Sequence, residues 1–281
     1  MDFHTHILPP QIQRNRDRYV DNDTCFAVLY SNPKAKLATA DELIASMDEA
    51  GIDVSVVANY GWTTHELCVE TNDYILESIA RYPDRLIGFC TVQIQSGKAA
   101  IAEIERCVRG GMKGVGEIRP DVQIINPLNE AVIIPFVEIL QEHKLILLTH
   151  ASEPVGHEYA GKGEITPAVL YPFINKFPDL TIVCAHWGGG LPFYALMPEV
   201  KKALSNVYFD SAASPFLYSP QVYNQVSQLI GADKILFGTD YPLLSQTRLL
   251  NEIDSLKMPE EIKEMILSGN ACRLLGLENK L

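Results

Sequence analysis

Four places along this sequence carry side chains that can bind a metal ion or transfer a proton. His4 and His6 lie at the end of the first apolar segment, and His150, His186 and Asp240 each follow a run of apolar residues. Residues i and i+2 of a strand point the same way, so the imidazoles of His4 and His6 can reach one ion. Imidazole and carboxylate ligands without a thiolate favour zinc, while manganese, iron or cobalt also fit. The pattern predicts a divalent metal site, with zinc as the preferred ion.

Glu117 is a further candidate ligand, in the segment Lys113–Arg119. Two glycines precede it and leave room for the close approach of an ion or a backbone. Its carboxylate can complete or bridge a metal site, and the alternative is a salt bridge with Arg119. The predicted ligands of one ion, or of two, are His4, His6, Glu117, His150 and Asp240.

This set of side chains is sufficient for metal-assisted hydrolysis. We therefore first predict a hydrolase of an amide, ester or lactone bond that uses a metal-activated water, with Asp240 and His186 handling protons. The alternative is metal-dependent, non-oxidative decarboxylation of a small carboxylic acid, which Arg119 would favour if it faces the pocket. A barrel that binds a ligand without turnover is a third reading, and the intact ligand set argues against it. In each case the partner is a small molecule.

Other polar or aromatic residues near the predicted strand ends are candidate substrate contacts, namely Arg119, His157, Trp187, Asp210 and Tyr241. Trp187 precedes three glycines, which allow tight turns and can expose backbone N–H groups to a ligand. The segment Leu8–Leu37 is polar, irregular and long for a loop. Such segments are usually functional or disordered, so it predicts a lid over the pocket or else a surface excursion.

The elements that must position these residues are eight apolar, β-branched segments that alternate with amphipathic stretches. The predicted strands cover residues 2–4, 54–57, 86–89, 114–116, 145–148, 181–183, 207–209 and 235–237. Between the first two, Thr39 and Glu42 predict a capped helix start and Gly51 its end. One βα unit takes roughly 30 to 40 residues, so the candidate ligands fall on strands one, four, five, six and eight.

The alternation predicts an α/β fold, a (β/α)8 TIM barrel with a parallel eight-stranded core, as a single domain over residues 1–281. In such a barrel the carboxyl ends of the strands form the active-site face. Residues that are far apart in the sequence can therefore meet there.

Composition excludes several classes of function. The net charge of −12, with no basic stripe, argues against nucleic-acid binding. No apolar run is long enough to span a membrane, and no signal peptide begins the sequence. The six cysteines form no CxxC pair, which predicts reduced core thiols and a cytoplasmic enzyme. The sequence leaves a homodimer open.

These motifs resemble the amidohydrolase superfamily over nearly the full length, and within it the branch that includes aminocarboxymuconate-semialdehyde decarboxylase and the resorcylate decarboxylases. The motifs that match, in the branch's order, are Asp2–His6, His150, Ala185–Gly190, Phe237–Pro242 and Gly269–Gly276. The resemblance implies that the metal is bound by His4, His6, His150 and Asp240. It implies that His186 acts as acid or base, or binds a second ion. Many members carry a carboxylated lysine on strand four; Glu117 stands there instead, as in subgroups whose strand-four ligand is a glutamate.

Overall fold

The computed structural model describes residues 1–127 and 129–277. The predicted domain over residues 1–281 includes residue 128 and residues 278–281, which lie outside the described residues, and its extent stays a prediction. Eight parallel strands pair in sequence order. They are β1 Asp2–His6, β2 Ser55–Ala58, β3 Leu86–Cys90, β4 Gly114–Ile118, β5 Ile146–Thr149, β6 Ile182–Cys184, β7 Val207–Asp210 and β8 Ile235–Leu236.

The last strand returns to the first and closes the barrel. The backbone N–H of Phe3 donates to the carbonyl of Phe237 at 2.7 Å, and that of Asp240 donates to the carbonyl of His4 at 2.9 Å. The predicted (β/α)8 TIM barrel is confirmed. β1 is longer than predicted because its pairing with β2 continues to His6.

Helices surround the barrel. They are α1 Pro10–Arg14, α2 Arg16–Asn22, α3 Thr24–Tyr30, α4 Ala40–Ala50, α5 His65–Arg81, α6 Lys98–Arg109, α7 Glu130–Glu142, α8 Pro167–Lys176, α9 Pro198–Ala203, α10 Ser214–Leu217, α11 Val222–Ile230, α12 Gln246–Asp254, α13 Glu260–Glu264 and α14 Asn270–Leu275. Short 3-10 segments cover Ile94–Ser96, Leu204–Asn206 and Ala232–Lys234, and a π-helical turn covers Met265–Gly269. His186–Leu196 is a kinked segment in which residues 187–190 have left-handed backbone. The predicted caps of α4 are confirmed: Thr39 and Glu42 form a capping box, and Gly51 ends the helix at φ 69°.

Alternating side chains of the strands build two layers of core. Val56 and Leu148 pack inside the barrel, whereas their neighbours Val57 and Leu147 pack outward in the layer shared with the helices. Successive residues of a strand face opposite sides of the sheet, so each strand contributes to both layers. The inner layer is a packed floor, and the polar residues at the carboxyl ends of the strands lie above it.

The segment Leu8–Leu37 is not irregular, and in this respect the prediction was wrong. It contains α1, α2 and α3, which bury Ile12, Tyr19 and Phe26. The ring of Phe26 stacks on Trp62, with 5.2 Å between centroids. The three buried residues are seven positions apart, a helical spacing that the breaks between short helices conceal. This segment packs over the loop after β2, at the mouth of the barrel.

The six cysteines are free and buried, as predicted. Within the described ranges, no helix combines the length and the apolar character that a bilayer crossing requires.

Candidate active site and metal centre

A first cluster of potential ligands lies where β1 meets the end of β8. The Nε2 atoms of His4 and His6 are 3.0 Å apart. Oδ1 of Asp240 lies 3.1 Å from Nε2 of His6 and 3.9 Å from Nε2 of His4. The two imidazoles are fully or almost fully buried. β1 holds both histidines on one face, and the hydrogen bond from Asp240 N to His4 O brings the third ligand to them.

A second cluster adjoins the first and consists of Glu117 from β4, His150 after β5 and His186 after β6. Oε1 of Glu117 lies 2.8 Å from Nδ1 of His150 and 3.3 Å from Nε2 of His186. Its other oxygen, Oε2, lies 3.8 Å from Nε2 of His6 and 3.9 Å from Nε2 of His4. The two oxygens of Glu117 therefore face different clusters.

The predicted ligands lie in two adjoining groups, and their role as ligands stays a prediction. His150, which the resemblance places with His4, His6 and Asp240, lies nearest to Glu117 and His186. The reason is its second ring nitrogen, since Nε2 of His150 lies 3.1 Å from the hydroxyl of Ser152. This contact turns the Nδ1 edge of the ring toward Glu117.

The first cluster has the donor atoms and the spacing that a divalent cation requires. Metal–ligand bonds of about 2.0–2.2 Å place neighbouring ligand atoms about 3.0–3.6 Å apart. The three closest atoms of His4, His6 and Asp240 lie 3.0 to 3.9 Å apart. Buried acceptor atoms at this separation face one another and need a cation or a proton between them. Either one ion at this cluster, or two ions that share Glu117, fits the arrangement.

Asp210, the last residue of β7, supports both clusters from below and is fully buried. Its Oδ2 lies 2.7 Å from Nδ1 of His4. Its Oδ1 accepts the backbone N–H groups of His186 at 2.9 Å and Ala212 at 3.0 Å. A carboxylate only accepts, so Nδ1 of His4 carries a proton and Nε2 is directed at His6 and Asp240. Asp210 therefore selects the nitrogen of His4 that faces the cluster.

The charges of the two clusters shift the pKa values of their members in the metal-free chain. Burial alone would lower the pKa of His4, but the carboxylates of Asp210, Glu117 and Asp240 raise it to about 10. Burial likewise opposes protonation of His186, and the hydrogen bond and charge of Glu117 raise its pKa to about 9. Burial would raise the pKa of Glu117, yet the neighbouring histidines lower it well below its usual value. A metal ion would have to displace a proton from His4.

Two of these residues, which lie shortly after β6 and β8, have left-handed backbone that directs their side chains toward the clusters. His186 has a φ of 54° and Asp240 a φ of 64°, values that cost energy in any residue except glycine. The turn that begins at His186 continues through Gly189, where a Cβ would lie 2.2 Å from the carbonyl oxygen of Ser152. Such outliers are typical of functional sites.

A cavity of about 450 Å³ opens above the two clusters, a size typical of small-molecule sites. His6, Glu117, His150, His186 and Asp240 lie at its floor. Its walls come from α3 and the chain after it, from His157 and residues 159–161, from Ala213 and the last two residues of α10, and from the two residues after Tyr241.

Arg119 is the buried cation of this cavity, with 1% of its surface exposed. Its Nη2 donates to the carbonyl of Gly161 at 2.8 Å and lies 3.6 Å from Oδ2 of Asp121. Its Nε and Nη1 are buried and have no hydrogen-bond partner among the described residues. Buried donors of a charged group are rarely left open, so a ligand with acceptor oxygens is expected there.

The other predicted substrate contacts are placed differently. His157 lines the cavity. Trp187 is buried away from it and donates its indole N–H to the hydroxyl of Ser214 at 3.0 Å. Tyr241 points outward and donates to the carbonyl of Glu42 at 3.2 Å. Asp210 contacts His4 beneath the floor, as described above.

Three tyrosines that line the cavity, Tyr30, Tyr60 and Tyr159, were not predicted from the sequence. Tyr60, two residues after the end of β2, places its ring 4.5 Å from that of His6. Its hydroxyl is hydrogen-bonded to the hydroxyl of Tyr30, on α3. Tyr60 occupies a strand end like the other site residues, and this position was the signal that could have identified it.

The chain is similar to known proteins over nearly all of its length. A family model described as Amidohydrolase matches residues 1–277. The chain is 23% identical to 2-amino-3-carboxymuconate-6-semialdehyde decarboxylase of Dictyostelium discoideum, with 99% of the chain and 92% of that protein covered. It is 24% identical to gamma-resorcylate decarboxylase of a Polaromonas species, over 84% of the chain and 87% of that protein.

Among solved structures, 5-carboxyvanillate decarboxylase of Novosphingobium aromaticivorans, with bound manganese and a nitrobenzoic acid, matches with a TM-score of 0.79. The alignment covers 99% of this chain and 97% of that chain at 20% identity. At this level of identity the likeness shows the shared fold.

The prediction of a hydrolase is wrong, because the matching relatives are decarboxylases. The physical reason lies in the ligand set. Imidazoles and carboxylates around a cation can activate water, and they can equally place the cation against an acidic substrate. The identity of the ligands therefore does not separate the two reactions.

Proposed function

The chain belongs to the amidohydrolase family, and from this premise we propose that it is a divalent-metal-dependent decarboxylase of a small aromatic carboxylic acid. The observation that carries the proposal is Arg119, a buried cation that lines the cavity beside the ligand clusters and whose Nε and Nη1 have no hydrogen-bond partner among the described residues. An acid substrate supplies the acceptor oxygens that these donors lack.

The metal would be held by His4, His6 and Asp240, with Glu117 as a further ligand or as a bridge to a second ion. When bound, a divalent cation would supply positive charge that binds substrate oxygens and stabilises the negative charge that develops in the reaction. The family's relatives include enzymes solved with manganese. Zinc stays a prediction from the ligand types.

The residues of the chain divide the remaining tasks. Arg119 binds and orients the acid, and the apolar walls exclude water from the reacting carbon. The bond from that carbon to the carboxylate breaks, its electron pair stays on carbon, and a proton forms the new C–H bond. Carbon dioxide leaves, and the proton donor is recharged from solvent.

His186 is the proposed proton donor. Its Nδ1 lies 3.1 Å from the carbonyl of Ala212, and its Nε2 lies 3.3 Å from a carboxylate oxygen of Glu117. Both neighbours are acceptors, which favours an imidazolium with a proton at each nitrogen. His186 lines the cavity, so the Nε2 proton is within reach of a bound substrate. Asp240, predicted as its catalytic partner, is assigned to the metal because its carboxylate faces His6.

Carbon-labelled substrates test the proposal. Manganese-loaded protein would be incubated in D2O with hydroxybenzoates that carry ¹³C in the carboxyl group. We expect labelled bicarbonate in the NMR spectrum and one deuterium on the product carbon. His186→Asn should still bind benzoate but release no label. If no acid of the panel releases label from fully metal-loaded protein, the proposed function is wrong.

Cytoplasmic location, a homodimer and the lack of nucleic-acid binding stay predictions from the sequence.

A further inference from the structure

We propose that the natural substrate is a diacid, whose second anionic group is bound at the cavity mouth by Lys34 and Lys36. This inference rests on the proposed function, because Arg119 and the metal site take the carboxylate that is lost. It adds a second subsite, built by the segment between β1 and β2.

The charge of the cavity wall is opposite to that of the protein. The chain has 35 acidic and 23 basic residues and a net charge of −12. Among the described residues that line the cavity, the acids are Glu117 and Asp240, both in the ligand clusters. The wall above them carries Lys34, Lys36 and Arg119. A basic wall on an acidic protein raises the local concentration of anions and selects for them.

The loop that carries the two lysines is held in place. Nη1 of Arg16 donates to the carbonyl of Pro33 at 2.9 Å, and Nη2 of Arg16 donates to the carbonyl of Ala35. The backbone N–H of Lys34 donates to Oδ1 of Asn32 at 3.0 Å. The side chain of Arg16, on α2, thus holds the turn that carries the two lysines. The loop presents Lys34 and Lys36 from a fixed backbone, which lowers the entropy cost of binding an anion there.

Neither lysine is neutralised by an acidic residue within 1–127 or 129–277. None of the ion pairs between described residues includes Lys34 or Lys36. Both lysines are exposed, whereas Arg119 is buried. One carboxylate cannot contact the buried Arg119 and the exposed lysines at the same time. A single ligand that binds both therefore needs two anionic groups.

Part of the cavity wall is apolar. Leu29, Phe216, Leu217 and Leu243 contribute to it. Such walls fit an aromatic or unsaturated carbon skeleton rather than a polar chain. A ligand that matches the buried Arg119, the two exposed lysines and the apolar wall is a rigid carbon ring or chain with an acid group at each end.

Binding of unreactive acids tests the subsite apart from catalysis. Titration calorimetry on manganese-loaded protein would compare benzoate with isophthalate and terephthalate. We expect at least one dicarboxylate to bind about three- to tenfold more tightly than benzoate at low salt, the range for two exposed ion pairs. The preference should shrink as salt rises.

A double substitution identifies the source of any preference. K34A/K36A should bind benzoate normally and lose the preference for dicarboxylates. K201A/K202A, on α9, changes the net charge equally at exposed lysines away from the cavity and should keep it. Equal binding of mono- and dicarboxylates by the unmodified protein, or a preference that K34A/K36A retains, would overturn the inference. These outcomes do not depend on turnover, so a failure of the labelled-bicarbonate assay would be recognised separately.

Discussion

Replacing Asp210 with asparagine should weaken metal binding at the first cluster without unfolding the barrel. In the protein, Oδ1 of Asp210 accepts the N–H groups of His186 and Ala212, and Oδ2 faces Nδ1 of His4 at 2.7 Å. Asparagine must keep its oxygen toward the two N–H groups, so its NH2 faces His4. Nδ1 of His4 then has to accept, and the one remaining imidazole proton stays on Nε2, the atom that should bind the metal.

To bind the metal in the variant, His4 must free Nε2 and carry its proton on Nδ1. The N–H of Nδ1 then faces the NH2 group of the asparagine, and two buried donors placed face to face cost about 1–3 kcal/mol. At about 1.4 kcal/mol for each tenfold, metal affinity should fall roughly 5- to 150-fold. Substitutions of groups that orient metal-binding histidines typically cost about 10–100-fold. The lost charge acts in the same direction, because a divalent cation gains more from a carboxylate than the proton it displaces.

Competition with a chelator measures the manganese or zinc affinity, and ¹⁵N NMR of histidine side chains identifies the tautomer of His4. In metal-free D210N, Nδ1 of His4 should have lost its proton and Nε2 should keep one, whereas both nitrogens carry a proton in the unmodified metal-free protein. D210N should also bind metal weakly, with a thermal midpoint close to that of the unmodified metal-free protein. Asp23 offers a matched control, since it is a buried carboxylate that accepts from Thr63 and Phe26 and touches no ligand. D23N should lose stability but keep metal affinity. Unchanged affinity in D210N would refute the reasoning.

Three further predictions concern the acid site, the metal and the pH dependence of stability. Arg119→Met removes the donors of the side chain but keeps much of its length. Binding of benzoate to manganese-loaded protein should therefore weaken about 10- to 100-fold, which corresponds to the loss of one or two charge-assisted hydrogen bonds. A change below about twofold in calorimetry would argue against an acid site there. Removal of the metal with a chelator should abolish release of labelled bicarbonate, and added manganese should restore it; full turnover by protein shown to be metal-free would contradict the role of the clusters. Burial alone would raise the pKa of Glu103, but hydrogen bonds from Arg106 and Asn72 lower it. A carboxyl with a lowered pKa stabilises the fold above its unfolded pKa of about 4.3 and loses this contribution as the pH falls through the folded value. Urea unfolding between pH 7 and pH 3 should therefore show a steeper loss of stability for the unmodified protein than for E103Q, and parallel curves would exclude this carboxyl as a source of acid sensitivity.

Much of the barrel could be predicted because its signals are local. A buried strand such as Leu145–Leu148 is a short apolar run, and His150, two residues after it, marks the active-site face. The sequence order of such runs then fixes which strand carries which side chain. Strand ends are sufficient to bring His4 and Asp240 together although they are far apart in the chain.

The grouping of the ligands could not be predicted, because it depends on contacts between loops. His150 is turned toward Glu117 by Ser152, two residues further on. Trp187 follows His186 but points into the core, because the left-handed turn reverses the direction of the chain there. Periodicity carries no information on such turns.

The role of Asp210 also depends on the closed barrel. Its sequence context is an apolar strand with a polar end, the same signal as at the ligands, and this context alone predicts a substrate contact. Only the position of β1 across the barrel shows that this carboxylate faces Nδ1 of His4. The helices of the segment Leu8–Leu37 were missed for a related reason, since each is too short to show a hydrophobic period.

Anomalous X-ray scattering from crystals of manganese-loaded protein tests the central claim most directly. We predict a peak bounded by Nε2 of His4, Nε2 of His6 and a carboxylate oxygen of Asp240, at about 2.0–2.3 Å from each. A second peak, if present, should lie between Glu117 and the ring nitrogens of the second cluster. Crystals in saturating manganese with no anomalous peak at the mouth of the barrel would contradict the account.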